Sequence, residues 1–539
     1  MSNFETSSIK RLPYGNPEFS DIREQNMIYV DKTRLIAEIA LQKVPIFISR
    51  PRRFGKSLLI NTLSSLFKDG LKYFHGLEIE KIWKDKTYQV VHLDFSGIAD
   101  KNPLEFKRDL NETIIAAFRM NGIIKISDEL GLRSPDRILN EIAINLSNNS
   151  TVFLIDEYDA PLTHHINKSD ELDEIISILN NFYATVKQYT GKFRFIFITG
   201  VTRASHVSIF SAFNNLKDLS LKKEFNSLLG FTQENLIYYF NEYIENAANI
   251  LGMNKSDIYR RMEQYYDGYQ FSIDSEETLY NPWSIISFLD SPQAGFYNYW
   301  FESGGNTSLI FNYIKNSKFN LFNYNTEIYR TDKELSNQYK ITNIPPDILL
   351  FQTGYFTLRK KSSTIARLDF PNTEVEDSIL NLYLAANNLR PEIDCSLEIE
   401  ELSENIDKKD ITKIINTFNA ILNDCVSLLG TVFNDERSVR DIIYAALPQN
   451  INCQKIKERQ TVKGFSDLEI ITRKTHMVIE FKRTKRGRNA LASLQEAIDQ
   501  LQSKNYGIGA FTDRVLYRVA MVLSTDKKAI LHDFSKEVL

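Results

Sequence analysis

A strand-sized apolar run, Val44-Pro45-Ile46-Phe47-Ile48-Ser49, leads straight into Arg50-Pro51-Arg52-Arg53-Phe54-Gly55-Lys56-Ser57, and a helical period follows at Leu59, Ile60, Leu63, Leu66 and Phe67. That succession limits the chain to folds in which a buried strand ends on a glycine turn that opens a helix, the setting of a P-loop. Unpaired backbone N–H groups at such a helix start, reinforced by the helix dipole, form a cradle for anions. Arg52, Arg53, Phe54, Gly55, Lys56, Ser57 and Leu58 are the candidate phosphate-binding residues. Lys56 is expected to reach terminal phosphates, and the Ser57 hydroxyl to join a Mg²⁺ shell. Arg50 stands where such loops usually begin with glycine, and Pro51 biases it toward an extended conformation. Arg52 and Arg53 either touch phosphates or sit on the surface.

A loop that supports ATP hydrolysis needs carboxylates on another strand. Val152-Phe153-Leu154-Ile155-Asp156-Glu157 supplies them. Asp156 can orient Mg²⁺ through water, and Glu157 can polarise the attacking water as a general base. Gln89–Phe95 is expected as an extra strand between the two motif strands, which suits the glutamate-bearing ATPase branch. Phe193–Thr199 runs into Gly200-Val201-Thr202-Arg203, so Thr199, Thr202 and Arg203 are either γ-phosphate sensors at the carboxyl edge of the sheet or ordinary turn residues. His164, His165 and His206 lack companions at metal-ligand spacing and are read as surface or packing residues.

Helical periods over Phe106–Met120 and Leu172–Gln188 alternate with these strands, which predicts a parallel, doubly wound α/β sheet. After Thr232 the strand signal fades. The chain then divides into an ATPase core over 1–231, a mainly helical lid-like region over 232–340, a connecting region over 341–409 and a compact α/β end over 410–539. No apolar run approaches the roughly 18–20 residues needed to span a bilayer. The three cysteines, Cys395, Cys425 and Cys453, form no zinc-spaced pair, so a cytoplasmic, membrane-free protein with free thiols is expected. The net charge of −4 excludes a polycationic coat, and any nucleic-acid contact must come from a local basic surface.

Such a surface lies near the end. Asp467 opens a strand, Arg473-Lys474-Thr475 turns it, and His476-Met477-Val478-Ile479-Glu480-Phe481-Lys482 returns. In a hairpin Glu480 and Lys482 share a face, because side chains repeat with period two, and Asp467 can lie opposite that face. Two carboxylates beside a lysine suit a divalent metal and phosphodiester chemistry. Asp…Glu-x-Lys also occurs on ordinary solvent-facing strands, but here it flanks an apolar run. Arg483, Lys485, Arg486 and Arg488 follow as a basic patch, and an amphipathic helix over Asn489–Ser503 brings Gln500 near Tyr506.

With Leu12-Pro13-Tyr14-Gly15, Tyr29-Val30-Asp31-Lys32-Thr33, Leu154-Ile155-Asp156-Glu157-Tyr158-Asp159, Thr199-Gly200-Val201-Thr202-Arg203, Ile209-Phe210-Ser211, Asn214-Asn215-Leu216, Gly230-Phe231-Thr232, Tyr266-Asp267-Gly268-Tyr269, Tyr280-Asn281-Pro282 and Pro371-Asn372-Thr373-Glu374-Val375, the chain resembles bacterial AAA-ATPase-like proteins that carry a C-terminal PD-(D/E)XK nuclease-like domain. The resemblance implies a P-loop ATPase core, a helical middle and a nuclease fold. It implies metal ligands at Asp467 and Glu480, with Glu436 as the helix glutamate, Lys482 as the catalytic lysine and Gln500 as a supporting glutamine. The cofactors implied are ATP and Mg²⁺, with Mn²⁺ as an alternative at the nuclease site. The expected partner is nucleic acid, DNA first, with a protein or phage-derived trigger and a homo-oligomer as further expectations. Two functions compete: an ATP-gated DNA nuclease, or a nucleotide-dependent sensor or switch whose nuclease-like domain only binds nucleic acid or protein.

Overall fold

The computed structural model describes residues 10–122, 133–203, 215–302, 307–316, 321, 328–387, 395–429, 436–447, 453–461, 464–484, 490–524 and 529–537. The chain falls into two compact units, Met1–Ile310 with Glu327–Glu376 and Phe311–Thr326 with Asp377–Leu539.

The first unit holds β1 (Ile46–Ser49), β2 (Gln89–Asp94), β3 (Thr151–Asp156), β4 (Phe193–Gly200) and the short β5 (Lys217–Asp218). All pair in parallel, in the order β2-β3-β4-β1-β5. β1 and β3 are buried at every position, as strands covered on both faces by helices must be. The order corrects one expectation. Gln89–Asp94 is the outer strand beside β3, and β4 fills the place between the P-loop strand and the Asp156 strand. A connection to a parallel neighbour needs a crossover, so adjacency in sequence does not give adjacency in the sheet.

Helix α1 (Thr33–Ala40) precedes β1, and α2 (Lys56–Asp69) follows the P-loop. The crossovers carry α3 (Pro103–Met120), α4 (Pro135–Asn145) and α5 (Ser169–Gln188). Thr232 then starts a capping box with Asn235 that opens α6 (Gln233–Tyr239). Phe240 separates it from α7 (Asn241–Leu251). α8 (Lys255–Tyr266) and α9 (Pro282–Asp290) follow, the latter capped by Asn281 and started by Pro282. Ile28 and Val30 pack into the core of these helices with Leu236, Phe240, Ile244 and Phe288, so the N-terminal segment and the helical region share one apolar core. A small antiparallel sheet of β6 (Ile328–Thr331), β7 (Thr357–Lys360) and β8 (Ile365–Asp369) completes the unit.

Several family strings turn out to be joints between distant segments. Gly268 (φ 94°) approaches Pro371 so closely that a Cβ would lie 2.0 Å from its carbonyl oxygen. Asn372 donates to the Asp267 carbonyl (2.6 Å), and Arg359 donates to the carbonyls of Gly268 (3.2 Å) and Pro371 (3.1 Å). Buried Glu374 accepts from Ser284 Oγ and from the Trp300 backbone N–H, both at 2.8 Å.

The second unit is built on a mixed sheet ordered β13-β12-β11-β10-β9. Its strands are β9 (Gln454–Thr461), β10 (Gly464–Ile471), β11 (Thr475–Thr484), β12 (Val515–Ser524) and β13 (Ala529–Glu537). β11 pairs antiparallel with β10 and parallel with β12. Around it lie α10 (Ile411–Leu429), α11 (Glu436–Ala446) and the crossover helix α12 (Ala490–Ser503).

Candidate functional sites

Gly55 adopts a left-handed conformation (φ 91°) at the cap of α2, and Arg53 also has positive φ (68°). The turn is held open from below. Lys56 is buried, and its Nζ donates to the carbonyls of Arg50 and Pro51, each at 3.0 Å. Burial lowers the Lys56 pKa, with Glu157 and Asp156 pulling it back up. Ser57 Oγ donates to Asp156 Oδ2 (2.9 Å), which joins the hydroxyl and the carboxylate expected around Mg²⁺. Burial is the main reason the Asp156 carboxyl is pushed up to about 6, against the pull of Lys56 and the Ser57 hydroxyl. Asp94, its register partner on β2, adds like charge.

A cavity of about 650 Å³ opens over this turn, lined by Arg52, Arg53, Phe54, Gly55, Lys56, Ser57 and Leu58 together with Glu157. The size suits a nucleotide. Glu157 has φ 48°, a conformation that costs a non-glycine residue of order 1–3 kcal/mol and tends to occur at functional sites. Arg53 lies over the Trp283 ring, 4.3 Å from its centroid, and the Arg52 carbonyl accepts from Trp300 Nε1 (3.3 Å). Phe54 packs edge-on against Tyr269 and Phe271.

The three sensor candidates differ in what holds them. Thr199, at the end of β4 beside β1, has a buried hydroxyl with no hydrogen-bond partner among the described residues. A buried orphan hydroxyl at that edge, next to a Ser–Asp pair and a cationic turn, fits a phosphate ligand with a hard cation. Thr202 is fixed by Asp159, which accepts from its backbone N–H (2.6 Å), its hydroxyl (2.7 Å) and the Val201 N–H (3.1 Å). Arg203 is buried and engaged by Asp218 (2.5 Å) and by the Leu335 carbonyl (2.9 Å). Thr199, Thr202 and Arg203 are not among the residues lining the cavity. His165 is a packing residue bonded to the Pro161 carbonyl (2.8 Å), and His206 lies outside the described residues.

Two residues given no role in the sequence reading matter here. Asp159 fills the space above Gly200, where a Cβ would stand 2.3 Å from Asp159 Oδ1. The available signal was the spacing of Asp156-Glu157-Tyr158-Asp159 against Gly200-Val201-Thr202. Arg50 donates to the carbonyls of Ser49 (3.0 Å), Ser220 (2.6 Å) and Phe225 (3.1 Å), and lies over the Phe271 ring. The arginine in the glycine position is therefore a strut beneath the loop.

In the second unit, Asp467 Oδ2 accepts from the Phe481 N–H across the hairpin (2.8 Å). Glu480 Oε1 accepts from Lys482 Nζ (3.1 Å), and Glu480 Oε2 is buried with no partner among the described residues. Glu436, in the first turn of α11, accepts from the Arg483 N–H (2.9 Å) and lies 3.7 Å from Lys482 Nζ. Burial, then the Asp467 charge, pushes Glu480 up to about 8, and burial also raises Asp467. Burial opposes the Lys482 charge, but Glu480 and Glu436 outweigh it and raise its pKa. Gln500 donates to Tyr506 Oη (3.4 Å), and Tyr506 belongs to one apolar cluster with Val478 and Ala520, the register partner of Glu480. Buried Arg440, one helical turn after Glu436, supplies a cation near Asp467 that the sequence reading did not single out.

Among the described residues no group of three or more His, Cys, Asp or Glu side chains is arranged to hold a metal ion. The adjacent carboxylates of Asp467 and Glu480, with one buried oxygen unpartnered, still offer the hard oxygen donors that Mg²⁺ or Mn²⁺ prefers. Lys485, Arg486 and Arg488 lie outside the described residues.

Comparison with known proteins agrees with this division. Residues 13–210 match the predicted AAA-ATPase family, and residues 434–533 match the PD-(D/E)XK nuclease superfamily. An uncharacterized protein from the vnfD 5′ region of Azotobacter chroococcum mcd 1 is 30% identical over 378 residues, covering 69% of each chain. No described helix is long and apolar enough to cross a membrane. The chain thus belongs to the AAA-ATPase-like family and carries a PD-(D/E)XK nuclease superfamily domain toward its C-terminal end.

Proposed function

We propose that the chain is an ATP-gated nuclease that cuts DNA in the cytoplasm, with Mg²⁺ or Mn²⁺ at the carboxylate pair. The observation that carries the reading is the buried, unpartnered oxygen of Glu480 beside Asp467 and Lys482. A bound divalent ion would supply Lewis-acid polarisation of the phosphodiester and a more acidic water. Asp467 and Glu480 would hold that ion. Lys482, already beside Glu480, would orient the water or offset charge developing on the phosphate. In the first unit Lys56 would exchange its two loop carbonyls for phosphate oxygens, and Glu157 would accept the proton of the attacking water.

The test measures cleavage of plasmid, duplex and single-stranded DNA and of RNA with Mg²⁺ or Mn²⁺, under ATP, a non-hydrolysable analogue and no nucleotide. DNA cleavage that depends on nucleotide, disappears in Glu480→Gln and leaves ATP turnover intact is the expected result. Lys56→Ala is expected to abolish ATP turnover. Equal rates in all three nucleotide states would sink the gating. A second reading is a nucleotide switch whose nuclease-like domain only binds. Binding without cleavage under every condition would decide for it.

A further inference from the structure

The cavity over the P-loop has two chemically different ends. Its phosphate end is marked by Lys56, Ser57 and Glu157. Along α2 it continues past Leu59 to Thr62, six residues beyond Lys56. At 1.5 Å per residue that is about 9 Å farther on. The walls there are apolar, with Ile28, Val30, Ile36 and Phe240 among them. Lys32 is the cationic side chain of this far end. Its electrostatic neighbours are Glu277 and Asp31, and neither Lys56 nor Glu157 is among them.

Lys32 is half-buried and has donors to spare. An ammonium has three donors, and among the described residues its Nζ bonds only to Asn235 Oδ1 (2.7 Å). Burial pushes its pKa down to about 8, against the pull of Glu277 and Asp31. Asn235 Oδ1 also accepts from the Thr232 N–H (3.1 Å) as part of the capping box of α6. The same helix receives the Asp31 N–H at Tyr239 Oη (3.1 Å). Apolar walls beside a donor with free hydrogens suit a ring that offers acceptor atoms at its edge.

We propose that Lys32 anchors the base of the bound nucleotide, donating to an acceptor atom on its ring edge, and so determines affinity for the nucleoside rather than for the phosphates. The inference rests on the nucleotide reading given above. It is tested by calorimetric binding of ATP, ribose 5-triphosphate and inorganic tripolyphosphate to the full chain and to Lys32→Met and Lys32→Gln. ATP binding is expected to weaken tenfold or more in both variants, with ribose 5-triphosphate and tripolyphosphate unchanged; their unchanged binding also reports an intact P-loop. Equal weakening of all three ligands, or no weakening of ATP, would overturn the role of Lys32. Failure of the unaltered chain to bind ATP would overturn the nucleotide reading itself.

Discussion

Replacing Arg50 with glycine would give the P-loop its usual first residue, yet the structure predicts damage. The Arg50 guanidinium donates to three carbonyls, at 3.0, 2.6 and 3.1 Å. Hydrogen bonds from a charged donor contribute about 1.5–3 kcal/mol each, or about 4.5–9 kcal/mol together. The Phe271 ring adds about 2 kcal/mol for a desolvated cation–π contact. Against this stands dehydration, the chief force lowering the guanidinium from its ordinary value to about 9, with Asp218 opposing it. At 1.36 kcal/mol per pH unit the net of these two is about 5 kcal/mol against the charged form. The difference, roughly 2–6 kcal/mol, is what Arg50→Gly should lose, and a flexible residue in a fixed turn adds to it. Urea unfolding of the ATPase unit, followed by intrinsic fluorescence with its transition resolved from that of the second unit, reads the effect. An Arg50→Gly protein within 1 kcal/mol of the parent in stability, by the same scale, would refute the strut.

Gly268→Ala should destabilise by about 3 kcal/mol or more, read as a lower melting temperature, since its φ is 94° and a Cβ would meet the Pro371 carbonyl. Asp267 is pushed up to about 6, chiefly by burial, so its charge opposes folding above that pH and the cost fades as pH falls toward 3.8. Asp267→Asn should therefore stabilise by up to about 3 kcal/mol near pH 8 and by almost nothing near pH 4, which a pH series of urea midpoints checks. Asp159→Asn should lower kcat for ATP about tenfold or more with KM little changed, because the cradle at Val201 and Thr202 fixes the end of β4; steady-state kinetics decides.

Much of the fold was legible because its signals are local. β1, β3 and β4 announce themselves as apolar runs, and Gly55 and Asn281 mark helix starts that need no tertiary information. Sheet order was not legible: β2 was assigned the place that β4 takes, since nothing in a strand names its neighbour. The half-exposed β6, Ile-Tyr-Arg-Thr, lacks the clean alternation that would reveal it. At the candidate sites, Lys56, Ser57, Asp156, Glu480 and Lys482 stand out in the sequence by their spacing. Asp159 and Arg440 do not, because each acts on residues supplied by other elements, and only folding brings those elements together.

Glu480 sits on β11, whose ten residues Thr475–Thr484 pair in parallel with Val515–Ser524. A parallel neighbour cannot form from a simple hairpin; it waits for the crossover through α12. During synthesis β11 is therefore complete before its parallel neighbour β12 has emerged to pair along its edge. Ala520 of β12 is the register partner of Glu480, so one neighbour of that carboxylate comes from the later strand. A chain that stops short of β12 should therefore leave Glu480 without the parallel neighbour strand that flanks it in the finished sheet.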